Sequence, residues 1–63
     1  MAEDLVLLDT IAVAAALGVK PTLIRAWASR GKLTRYGKDR RGRTLYSLAQ
    51  AFEVQAAMYR RRQ

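Results

Sequence analysis

Sixty-three residues make one small domain, a size that buries only about 60% of the surface its unfolded chain exposes, and eleven of its apolar residues are alanines. The absence of Cys and His removes disulfides, thiolate metal sites and the commonest general base, and the carboxylates (Glu3, Asp4, Asp9, Asp39, Glu53) fall at no spacing that builds a site, so no catalytic residue, metal or cofactor is expected. The net charge of +7 is concentrated in residues 20–46, where nine basic residues face Asp39 alone, and such a field draws polyanions, nucleic acid before anionic membrane.

The chain opens Met-Ala-Glu-Asp, acidic where a signal peptide is basic. Its longest apolar run, Ile11 to Leu17, is seven residues, far short of the roughly 20 that span a bilayer. A soluble, cytoplasmic protein is expected. A first helix is predicted over 10–17, with Asp9 as N-cap and Leu8 and Val13 at the staple positions. Val13, Ala14 and Leu17 share its inner face, and Gly18 ends it. A second helix over 21–30 starts with Pro21 at N1. Ile24 and Trp27 form its buried stripe with Leu23 at the edge, and Gly31 stops it after Arg30. The three-residue connection Gly18-Val19-Lys20 has the length and the glycine of a helix-turn-helix.

From Leu33 the period shortens. Leu33–Tyr36 and Arg43–Tyr46 alternate with β-favouring residues and predict a hairpin over 33–46, its basic tip bracketed by Gly37 and Gly42. Leu33, Leu45 and Tyr46 are expected to pack on the helices. Ser47 and Gln50 then have the spacing of a capping box, opening a third helix over 48–59 with Leu48, Phe52, Ala56 and Tyr59 on its apolar side. The last four residues are expected to fray. The fold class is mainly α with a small β-hairpin, in the order helix, helix, hairpin, helix, as one domain over 1–63.

The segments Leu-Gly-Val-Lys-Pro-Thr-Leu-Ile-Arg-Ala-Trp at 17–27, Arg-Gly-Lys-Leu at 30–33 and Gly-Arg-Thr-Leu-Tyr at 42–46 resemble the MerR-like winged helix-turn-helix domain. They are most similar to its short excisionase-type members from phages and mobile elements. The resemblance runs from about Leu7 to Phe52. It implies that the second helix enters the DNA major groove, that the hairpin is a wing over backbone and minor groove, and that Ile24 and Trp27 are core. The chain departs from the family at Lys20, commonly Ser or Thr, and at Ala28, often acidic. Thr44 and Leu45 stand before Tyr46, where family wings tend to be basic. Only Arg60 to Gln63 follow the third helix, so no effector domain or dimerising coiled coil is expected. The implied function is non-catalytic, sequence-specific binding of double-stranded DNA: an excisionase, or recombination directionality factor, that bends attachment-site DNA for an integrase. The alternative is a small transcriptional regulator of a phage or mobile element. A protein monomeric in solution that assembles side by side on DNA, in the nucleoid of a bacterial host, is expected.

The candidate contacts on the second helix are Lys20, Thr22, Leu23, Arg25, Ala26 and Arg30. Lys20 opposes the helix dipole by about 0.3–1 kcal/mol, a sign that a docked phosphate reverses; as a solvated lysine it merely tolerates the penalty. Arg25 suits a guanine or a phosphate, and Thr22 and Leu23 suit a thymine methyl. On the wing the candidates are Arg40, Arg41 and Arg43, with Arg35 and Lys38 adding backbone contacts and Asp39 tethering the turn. Arg60 to Arg62 form a basic tail that is either solvated or adds non-specific affinity. Neutralising five to seven phosphates implies a slope of log K against log salt of about −4.5 to −6. Trp27, Tyr46 and Phe52 are read as core, leaving Tyr36 as the exposed aromatic, which argues against an RNA-binding module. A membrane-surface peptide would need one long basic amphipathic helix instead.

Overall fold

The computed structural model describes residues 6–62, with side chains through Arg60. In chain order it holds strand β1 (Leu7–Asp9), helix α1 (Thr10–Leu17), helix α2 (Pro21–Ser29), strand β2 (Leu45–Ser47) and helix α3 (Leu48–Arg62). Three helices and one two-stranded antiparallel sheet agree with the helix-rich fold read from the sequence.

α1 forms where its signals place it. Asp9 Oδ1 accepts from the Ala12 amide at 2.8 Å, filling one of the donors a helix start leaves open. At the other end Gly18 adopts φ 73°, and the Gly18 and Val19 amides donate to Ala15 and Ala14, the paired bonds of a Schellman motif. α2 repeats the device: Gly31 has φ 79°, and the Gly31 and Lys32 amides donate to Ala28 and Trp27. Arg30 lies in that cap, so the helix closes at Ser29, one residue before the predicted end. Across Gly18–Lys20 the axes of α1 and α2 turn by 111°. Their facing stripes, Val13, Ala14 and Leu17 against Ile24, Trp27 and Ala28, make most of the core, and Leu33, Tyr46 and Ala51 complete it.

The sheet differs from expectation. β2 pairs with β1, an N-terminal strand not predicted, in the register Leu7↔Ser47, Leu8↔Tyr46, Asp9↔Leu45. Residues 33–36 form no strand; the Thr34 amide instead donates to Gln50 Oε1 at 2.9 Å. The hairpin survives in shorter form over 36–45. Tyr36 donates to Leu45, Leu45 to Gly37 and Asp39 to Arg43, with a bridge between Lys38 and Thr44. Tyr36 and Gly37 together oppose Leu45, which makes them a bulge, and Gly37 there has a φ of 105°. The tip is therefore Arg40-Arg41-Gly42 alone. Leu33 and Tyr46 are buried as expected, whereas Leu45 is half-buried.

α3 also turns a different face inward. Ser47 Oγ accepts from the Gln50 amide at 3.2 Å, half of the expected capping box, but the Gln50 side chain reaches Thr34 and not back to Ser47. Ala51 is fully buried, with Leu48, Val54 and Met58 packed against the core. Phe52, Ala56 and Tyr59, predicted inside, are exposed. Gln55 Nε2, donating to the Leu17 carbonyl at 3.1 Å, fixes this rotation and satisfies an acceptor left open at the end of α1. The helix continues through Arg62 where fraying was expected. Glu3, Asp4, Gln63 and the side chains of Arg61 and Arg62 lie outside the described residues. No single helix among those described is long and apolar enough to cross a membrane.

Candidate nucleic-acid interface

The 36–45 loop is held by its own acid. Asp39 Oδ1 accepts from the Arg41 and Arg43 amides, both at 2.9 Å, and the Asp39 carbonyl accepts from Gly42, whose φ of 78° closes the turn. Asp39 thus tethers the backbone, as predicted, and forms no ion pair with a guanidinium. Lys38, Arg40, Arg41 and Gly42 are all exposed. The result is a short loop whose tip is bonded to Asp39 and whose cationic side chains are exposed.

On α2, Thr22, Arg25 and Ser29 lie at helical spacings that share one exposed face, opposite the buried side. Ala26 is half-buried and takes only the margin of that face. Leu23 is exposed on a different side, where it lines a groove with Val19, Trp27, Met58 and Tyr59 against α3. Lys20 is the N-cap residue of α2 and makes no side-chain capping bond. Arg30 and Arg35 are exposed beyond the C-terminal end of the helix.

Two of the predicted residues from separate elements come together. Arg25 of α2 and Arg43 of the loop line one cleft of about 280 Å³, together with Asp9, Thr10, Ile11 and Thr44. Asp9 was read from the sequence only as a cap, yet its second oxygen, Oδ2, accepts from Arg43 Nη1 at 3.2 Å. The Ala12 amide, opposed by partial desolvation and reinforced by Arg43, holds the Asp9 carboxyl below the usual carboxylate range. A cap leaves one carboxylate oxygen over, which is the only sequence signal for this second role.

Two further features lie away from the cleft. Tyr36, Phe52 and Tyr59 are all exposed, by 42, 46 and 61%, so Tyr36 does not stand alone as the exposed aromatic. The Trp27 indole Nε1 is buried without a hydrogen-bond partner. Among the described residues no cluster of His, Cys, Asp or Glu could hold a metal. No protein-family model, curated protein or solved structure matches the chain.

Proposed function

We propose that this chain is a non-catalytic, duplex-DNA-binding protein of winged helix-turn-helix architecture, with α2 as the reading helix and the 36–45 loop as the wing. The observation that carries the reading is the convergence of Arg25 and Arg43 on one cleft beside a solvent-facing cationic loop. The 111° turn between α1 and α2 over three residues lies within the range of about 90–120° typical of the helix-turn-helix. The partner is double-stranded DNA. The finer role, an excisionase acting with an integrase, rests on the resemblance of segments 17–27, 30–33 and 42–46; a small transcriptional regulator is the alternative.

A second reading, single-stranded RNA, gains from the exposed Tyr36, Phe52 and Tyr59, since unstacked bases pack on aromatic faces. Titration of labelled duplex DNA and single-stranded RNA across a salt series separates the two. Duplex binding is expected to be tighter, with a slope of about −4.5 to −6. Replacing Arg40 and Arg41 together by Ala is expected to weaken binding to all duplexes alike and to flatten the slope by about 1.8. Tighter RNA binding, or a slope untouched by the double substitution, overturns the reading. Sequencing of source-genome DNA captured by the protein then divides the roles: repeated sites beside an integrase gene support excision, and promoters support regulation.

A further inference from the structure

Asp9 places a negative charge where the duplex reading needs positive charge. Its carboxylate serves two partners at once, Oδ1 capping α1 at Ala12 and Oδ2 meeting Arg43. The Arg43 side chain is half exposed (49%), whereas that of Asp9 is mostly sheltered (19%). Arg25 lines the same cleft.

We infer that Asp9 is a built-in competitor of DNA: it occupies Arg43 in the unbound protein and weakens the hold of that guanidinium on a backbone phosphate. The inference rests on the duplex reading. Two features of the pair separate a competitor from a residue that merely aims Arg43. The contact is a single nitrogen–oxygen bond of 3.2 Å, and an end-on bond orients a guanidinium far less than a two-pronged fork does. The cap bond pins the other oxygen, so the carboxylate stays within reach of Arg43 and goes on competing for it when a phosphate arrives. Binding that depends on neutralising phosphates is therefore reduced on every duplex sequence by the same factor.

The test is salt-dependent binding of Asp9→Asn to a site-containing and a random duplex. Asn caps helices as well as Asp, so α1 is retained, and circular dichroism checks it. Asp9→Ser, which also caps, replaces it if Asn does not fold. Binding is expected to tighten by about two- to five-fold on both duplexes, the scale of an exposed ion pair given up. The salt slope is expected to steepen by up to about 0.9, one further phosphate neutralised. Glu53→Gln, on α3 outside the cleft, raises the net charge equally and is expected to tighten binding less. In Asp9→Asn/Arg43→Ala the gain over Arg43→Ala alone disappears.

Unchanged or weaker binding by Asp9→Asn overturns the inference, and so does an equal gain from Glu53→Gln or a gain that survives loss of Arg43. If the wild type binds duplex with the expected slope and Asp9→Asn gains nothing, only the competitor role fails. A folded wild type that binds no duplex overturns both.

Discussion

Asp9 couples the start of a helix to the electrostatics of the cleft beside it, and that coupling has a pH signature. The Ala12 amide favours its ionised form most, partial desolvation opposes this, and Arg43 favours it again. A carboxyl whose folded pKa lies below its unfolded value of about 3.9 adds stability that is fully present above that value. The contribution is lost as pH falls through the folded pKa, because the unfolded chain binds the proton first. Urea unfolding from pH 5 to pH 2 is therefore expected to show wild-type stability falling more steeply below about pH 4 than that of Asp9→Asn. Parallel acid limbs would mean that the cap and the Arg43 contact are not kept in solution.

At the scale of elements, α1 and α2 both end on a glycine held at positive φ. A side chain at Gly18 would meet nothing within 4 Å, yet the residue sits at φ +73°. Gly18→Ala is therefore expected to cost about 1–2 kcal/mol, the left-handed penalty of an L-residue, read as a lower urea midpoint at unchanged m. Gly18→Asn should recover part of the loss. These ends were legible in the sequence because their causes are local: Asp9, Pro21, Gly18 and Gly31 act within one turn of themselves. The hairpin register was not, because Gly37 in sequence looks like a tip residue, and the long-range bond from Thr34 to Gln50 takes the segment before Tyr36 out of the ladder. The face of α3 was misread for a related reason. Its alanines allow two apolar stripes, Leu48–Phe52–Ala56–Tyr59 and Leu48–Ala51–Val54–Met58, and the bond from Gln55 to the end of α1 selects the second. The candidate site divides the same way: its basic residues showed as a charge cluster, whereas the Asp9–Arg43 contact joins positions 34 apart and left no local trace.

Over the whole molecule, the largest fully buried side chains, Val13, Ile24 and Trp27, all come from α1 and α2. The sheet contributes less to the interior than to the outline of the protein. β1 runs along one side of β2, and on the other side Tyr36 and Gly37 bond its first residue, Leu45. The chain itself thus covers one flank of β2 along its length, with residues forty positions away in sequence, from Leu7 to Ser47, and the other flank at Leu45. Exposed strand flanks recruit strands from other molecules, which gives β1 the character of a guard rail. Deleting residues 1–8 is expected to make the chain associate more strongly than the intact one as its concentration rises, measured by sedimentation, and a truncated chain that sedimented like the intact one would show the rail to be dispensable. In the expected outcome, three residues of strand that contribute little to the core keep the copies of this protein separate.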